Sequence, residues 1–423
     1  LLGQYGGIGA LIHAQGNKIL ISEPYENLPA QKAGLKAADV ILKIDGESCE
    51  GKTTSQVSEK LRGQAGTDVR LTLERDGKQF EKTIKRQEIQ LPNVSYYSML
   101  DNHTGYIKLD EFTKDAGKNV LEAYKKLKAE GADKLVLDLR GNGGGLLNEA
   151  VNIVNIFVDK GQTVVSKKAK NVEKSVTFKT TQKAFDANVP LVVLIDAYSA
   201  SASEIVAGSL QDLDRAVVVG QRSFGKGLVQ TVIPLIYNTQ MKVTESKYYI
   251  PSGRCIQAID YANRDENGRA TKIPDSLKTA FKTKNGRTVY AGSGIEPDVY
   301  IEPVYASNIA ISLISKSICF NYATEFVKKH PTIEYLLTTA EKDKVNPQTI
   351  EEIKRAKELL IADKQNDIYK FKDEIKELLK SEIVSRYYYQ KGRTEVALKN
   401  DTELDRAVEI LNNTKEYKKI LSK

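Results

Sequence analysis

The sequence predicts a multidomain chain of mixed α+β and α/β type: a small β-rich module over residues 1–88, a β/α core over 89–304 and a helical domain over 305–423. Three observations lead there. At 423 residues the chain exceeds what one ordinary core fills. Through its middle, apolar strand-like runs alternate with helix-length amphipathic runs, the pattern of a largely parallel sheet covered by helices. Past about Val304 the composition becomes Lys/Glu-rich and helical.

The first module is read from short β runs between turns: "GIGALI", "KILISE", "DVILKIDG" and "DVRLTLERDG", with one helical run, "TTSQVSEKLRG", before the last. In the core, the strand "GYIKL" is followed by the helix "AGKNVLEAYKKLKAEG", the buried strand "KLVLDLR" and the helix "LLNEAVNIVNIFVDKG". The strands "TVVS" and "PLVVLID", the helix "SEIVAGSLQDL" and the strand "AVVVG" continue the alternation. In the tail, Ile350, Ile353, Ala356 and Leu360, then Phe371, Ile375 and Leu378, trace an apolar stripe expected to be a packing face.

Composition excludes several function classes. Lys and Arg number 63 against 55 Asp and Glu, and the surplus is spread along the chain, so no nucleic-acid partner is implied. Cys49, Cys255 and Cys319 lie far apart with no CxxC or Cys/His cluster, so no metal site or disulfide framework is expected. No apolar run approaches the roughly 20 residues that span a bilayer. The chain starts with Leu and shows no charged n-region with an apolar h-region, which reads as a processed or trimmed, soluble chain.

Chemistry concentrates in three stretches. In "DAYSASASEIVAG", Ser199, Ser201 and Ser203 occupy a turn between a strand and a helix. Ser201 with Glu204 fits a capping box. A serine in a strand-turn-helix is equally the geometry of an exposed nucleophile, because the helix's N–H groups face a developing oxyanion. The local residues leave both readings open until a base is found. His13, His103 and His330 are the only histidines, and each reads as a surface or packing residue. A lysine can serve instead once desolvation lowers its amine from the ordinary pKa of about 10.4. Lys226, between Gly225 and Gly227 in "SFGKGLVQ", is the candidate, with Gln230 four residues on and expected on the same strand face.

Gly220, Gly225 and Lys226 also satisfy most of a phosphate-loop pattern, which gives a remote nucleotide-binding alternative. Against it, Gly227 replaces the Ser/Thr that would hold Mg²⁺, and a β-branched run follows instead of a helix. The third stretch, "DLRGNGGG", ends a strand with glycines that let the backbone approach a ligand, and one N–H there would suit an oxyanion donor.

Together, "DLRGNGGG", "SASASEIVAG" and "SFGKGLVQ", in this order and with "KYYIPSGRCIQ" and "GIEPDV" after them, resemble over roughly residues 1–304 the carboxyl-terminal processing peptidases, tail-specific Ser/Lys proteases that carry a PDZ domain. The resemblance implies a crotonase-like layered sheet in the core and a Ser/Lys dyad. The family's middle serine precedes its lysine by 25 residues, and Lys226 follows Ser201 by the same number (226 minus 201). Gln230 then takes the place of the glutamine beside the lysine, and the N–H groups of Ala202 and Gly144 that of the oxyanion hole. "YGGIGA" resembles the carboxylate-binding loop of a PDZ domain, so Gly7, Ile8, Gly9 and Ala10 are the implied peptide-binding residues, and "PAQKAGLKAADVILKIDG" resembles its helix-turn-strand. Implied with these are protein substrates with free apolar C-termini, no cofactor and a place in the cell envelope, while a homo-oligomer stays open. Asp196 stands where the family usually has Asn, and Gly143 where it often has Pro. Family members normally have helical residues ahead of the PDZ domain that complete the protease. Their absence from the sequence given keeps a PDZ adaptor with an inactive or partner-dependent core as the alternative.

Overall fold

The computed structural model describes residues 4–237, 239–330 and 365–422. The N-terminal module runs through β1 (Gln4–Gly7), β2 (Ala10–Gln15), β3 (Lys18–Pro24), α1 (Pro29–Lys32), β4 (Val40–Ile44), β5 (Glu47–Ser48), α2 (Thr54–Leu61), β6 (Asp68–Arg75), β7 (Lys78–Lys85) and β8 (Gln87–Gln90). Its sheet has the order β2-β3-β4-β6-β7, with β5 on β4 and a separate pair β1-β8. Alternation builds it: in β6, Val69, Leu71 and Leu73 are buried while their neighbours face out. α2 opens on a capping box, in which Thr53 N–H donates to Gln56 Oε1 at 2.9 Å and Gln56 N–H to Thr53 Oγ1 at 3.3 Å. Its last turn is closed by Arg86, which donates to the carbonyls of Lys60 and Leu61 at 2.9 and 3.0 Å. So fixed, α2 packs beside β2, the edge strand of the sheet.

The core comprises β9 (Val94–Met99), β10 (Thr104–Leu109), α3 (Ala116–Ala129), β11 (Lys134–Asp138), α4 (Leu147–Phe157), β12 (Thr163–Ala169), β13 (Val176–Lys179), β14 (Leu191–Ile195), α5 (Ala202–Asp212), β15 (Val217–Gly220), β16 (Leu228–Pro234) and β17 (Gln240–Tyr249). The short strands β18 (Ile259–Arg264), β19 (Ala270–Lys272), β20 (Ala280–Lys282), β21 (Thr288–Tyr290) and β22 (Val299–Tyr300) complete it. One sheet, ordered β22-β15-β14-β11-β10-β9, is parallel except for β9, as continuous apolar strands require. All five residues of β14 are buried. A second, antiparallel sheet has the order β13-β12-β17-β16. The C-terminal ends of β11, β14 and β15 thus lie side by side, and each leads into one of the three chemically marked stretches.

The helices α6 (Asn308–Ser315), α7 (Ile318–Lys329), α8 (Gln365–Lys370), α9 (Lys372–Leu398), α10 (Thr402–Asn412) and α11 (Thr414–Leu421) follow. α9 kinks at Tyr389, where φ is 52° and ψ −148°. By compactness the chain forms two units: Pro92–Pro303 with Asp401–Lys423, and the N-terminal module with Val304–Asn400. α10 and α11, assigned to the helical domain in the sequence division, therefore group with the core. Of the tail stripe, Ile350, Ile353, Ala356 and Leu360 lie outside the described residues. Ile375 is buried, and Phe371 and Leu378 pack against the same cluster around Leu313, Cys319 and Leu379.

Candidate active site

The serine turn is held in a conformation that side chains rarely adopt. Ser201 has φ 58° and ψ −112° directly before α5, and a non-glycine residue there is strained and persists only where its surroundings enforce it. The neighbouring hydroxyls are spent on structure. Ser199 Oγ, buried, donates to Leu139 O at 2.8 Å, and buried Ser203 Oγ donates to Asn142 O at 2.8 Å. Ser201 is only half-buried. Ala202, the first residue of α5, presents its N–H outside the helix's own hydrogen-bond ladder.

Glu204 joins the serine turn to the lysine loop. Its carboxylate, fully buried, accepts the N–H of Ser201 at 2.8 Å, of Gly225 at 2.7 Å and of Lys226 at 2.8 Å, together with the hydroxyl of Ser223 at 2.5 Å. Burial raises its pKa, and these four donors oppose the rise. Phe224 N–H adds a bond to Ser199 O at 3.0 Å. The loop also needs its glycines. Gly225 has φ 85° and a Cβ there would lie 2.2 Å from that of Ala258, while one on Gly227 would meet Gln257 N at 2.5 Å. Gln257 Oε1 in turn accepts the Gly227 N–H at 2.7 Å.

The glycine stretch after β11 touches the serine directly. A Cβ on Gly144 would lie 2.6 Å from Ala200 O and 2.8 Å from Ser201 Cβ. Asn142, buried, organises this contact: its carbonyl accepts the Ala200 N–H at 3.0 Å, and its Nδ2 donates to Leu109 O at 2.8 Å. Asn142 Oδ1 accepts the Gly144 N–H at 2.9 Å, so this assigned oxyanion donor is engaged within the loop. Asp196 is likewise committed, its carboxylate accepting the N–H groups of Gly141, Tyr198 and Ser199.

Other assigned residues are placed less closely. The Lys226 side chain is exposed, and among the described residues no hydrogen bond joins its Nζ to Ser201 Oγ. Gln230 is also exposed. The period-two argument that put it on the face of Lys226 fails on two counts: β16 begins only at Leu228, and its register shifts between Val229 and Gln230. His103 faces Asp133 at 3.2 Å, while His13 bonds Ser22 and meets the Phe320 ring edge to face within the other unit. The phosphate-loop alternative lacks its helix, since Lys226 leads into strand β16. Arg254 of "PSGRC" is buried and pairs with Asp212 at the end of α5 at 2.9 Å. Asp298 of "GIEPDV" accepts the Val218 N–H of β15 at 2.8 Å.

In the N-terminal module, Gly9 has φ 70°, and a Cβ there would meet Leu28 at 2.7 Å. Ile8 is buried, its carbonyl accepts the Ala30 N–H at 2.8 Å, and that of Gly9 accepts the Tyr25 N–H at 3.0 Å. These bonds fix the turn of Gly7, Ile8, Gly9 and Ala10 at the start of β2, whose outer edge pairs with no further strand among the described residues.

Comparison with known proteins defines the class. Residues 103–263 match the family model described as peptidase family S41, residues 20–75 that of a PDZ domain, and residues 332–411 that of the C-terminal helical domain of a probable PDZ-protease. The chain thus carries a peptidase family S41 domain and a PDZ domain. Among its relatives are the carboxy-terminal-processing protease of Bartonella bacilliformis, 40% identical over 61% of this chain and 60% of that protein, and a probable CtpA-like serine protease of Staphylococcus aureus, 37% identical over 60% and 51%. The matches span half to three-fifths of the length of these relatives. A solved structure of the photosystem II D1 C-terminal processing protease aligns at 27% identity over 74% of this chain and 76% of that chain, with a TM-score of 0.41.

Proposed function

We propose that the protein is a serine endopeptidase that captures the free, apolar C-terminal tail of a protein substrate in its PDZ domain and cleaves upstream of it. The reading rests on one observation above all. A single buried carboxylate, that of Glu204, binds the backbone of Ser201 and of Lys226, which ties nucleophile and base to one point. Neutral Lys226 removes the proton from Ser201 Oγ, which attacks the scissile carbonyl. Ala202 N–H and, once it leaves Asn142 Oδ1, Gly144 N–H hold the oxyanion. Lys226 then protonates the leaving amine, and water hydrolyses the acyl-enzyme. A peptide lying over exposed Lys226 supplies the dehydration that a lysine base requires, and Gln230 orients the amine. Tail capture adds a strand to the edge of β2 beside α2, with the carboxylate at the N–H groups of the Gly7–Ala10 turn. No cofactor enters the scheme, and a place in the cell envelope is part of this proposal.

The second reading, a PDZ adaptor with an inactive core, is favoured by the Gly144–Asn142 bond and by the exposure of Lys226. Digestion of a protein with an apolar free C-terminus and of its amidated twin separates the two. Cleavage of the first, weakened by amidation and abolished in Ser201→Ala, supports the endopeptidase. Binding of the tail without cleavage supports the adaptor.

A further inference from the structure

The end of the chain reaches the two loops that flank the serine turn. Arg140 is the last residue before the glycine stretch, and its guanidinium is shared among three carboxylates. It bonds Asp138 at 2.6 Å, Asp401 at 2.6 and 2.9 Å and Glu403 at 2.6 Å. Asp401 also caps α10, accepting the N–H groups of Glu403 and Leu404 at 3.1 and 3.0 Å. The other oxygen of Glu403 accepts from Gln221, the first residue after β15 on the way to Lys226. α10 itself packs on β11, β14 and β15.

These contacts are more than helix docking, because each continues into the site. Gly141, next to Arg140, donates to Asp196 at 3.0 Å, and Asp196 accepts from the serine turn. Gln221 lies two residues before Ser223, which donates to Glu204. Glu403 is thus a single strut between the loop bearing Gly144 and the loop bearing Lys226. Bidentate guanidinium contacts fix orientation as well as distance, and these side chains are largely withdrawn from water.

We propose that the first turn of α10 is a clasp, in which Asp401 and Glu403 act through Arg140 and Gln221 as positioning residues for the oxyanion and lysine loops. The inference rests on the peptidase reading for its catalytic consequence but not for its structural one. The clasp orders residues 141–145 and 221–226, and without it the strands persist while the loops loosen.

The test is amide hydrogen exchange on the full chain, beside cleavage kinetics with a short unstructured peptide. In the double variant Asp401→Asn, Glu403→Gln, exchange in 141–145 and 221–226 rises about tenfold while β11, β14 and β15 keep their protection. Cleavage then loses about tenfold in kcat with KM nearly unchanged. Unchanged exchange in both loops of the folded variant overturns the clasp, and so does loosening of loops and strands alike, which marks α10 as general scaffold. If the unaltered chain cleaves nothing, the peptidase reading fails while the exchange result still decides the clasp. Should the double variant not fold, Glu403→Ala removes the strut while leaving Arg140 with Asp401 and the Gln221 Nε2 bond to Ile301 O, and the clasp requires looser 221–226. No change in 221–226 overturns it.

Discussion

Glu204 Oε2 accepts the backbone N–H of Lys226 at 2.8 Å from a position three residues beyond Ser201. The oxygen also holds the Ser201 N–H at 2.8 Å, so the separation of the two proposed catalytic residues is set by one rigid acceptor. Replacing Glu204 by Gln puts an NH₂ group against two of the four donors. That exchange is expected to cost about 2–4 kcal/mol of stability, since buried donors are left unpaired. Chemical denaturation measures it, and cleavage should fall in parallel with no change in tail binding.

Gly144→Ala tests the contact between the glycine stretch and the serine. At φ +100° a methyl group would enter the space of Ala200 O and Ser201 Cβ. Strain of about 1–3 kcal/mol is expected, with kcat reduced about a hundredfold as the oxyanion site distorts. Single-turnover kinetics on a short peptide would read the second effect separately from binding.

Much of this architecture was legible in the sequence. The strands and helices of the core follow from apolar runs and their spacing, and the serine turn follows from its place between a strand and a helix. What stayed hidden depends on long-range pairing. Glu204 reads locally as a capping residue, yet three of its four donors come from residues 223–226. Nothing around Asn142 announces that its side chain closes on Gly144. Arg140 and Asp401 are 261 residues apart, and no periodicity links them. Alternation along the run after Lys226 misleads because the strand begins only at Leu228 and its register shifts before Gln230.

Asp138 makes stability depend on acid. Burial alone would raise its carboxyl pKa, but Arg140 and Lys108 beside it bring it down to about 2. A depressed carboxyl contributes stability above its ordinary range, and that contribution is lost as pH falls from about 4 to about 2. The unfolding free energy should therefore drop through this window by on the order of 2 kcal/mol from this group. The drop should be smaller in Asp138→Asn, whose stability is lower at neutral pH.

Tail capture by the PDZ domain should depend on the free carboxylate. Amidation of an apolar C-terminal peptide is expected to weaken binding about tenfold or more, the worth of charge-assisted hydrogen bonds to N–H groups. Fluorescence anisotropy reads this directly. Gly9→Val should abolish binding, because φ 70° and the contact with Leu28 leave no room for a side chain.

The central claim, that Ser201 is a nucleophile served by Lys226, is tested most directly by trapping. After reaction with a serine-directed fluorophosphonate, peptide mass mapping should place the adduct on Ser201. Labelling should vanish in Ser201→Ala and nearly vanish in Lys226→Ala. An adduct on another residue, or labelling of Ser201 that is indifferent to Lys226→Ala, would contradict the account.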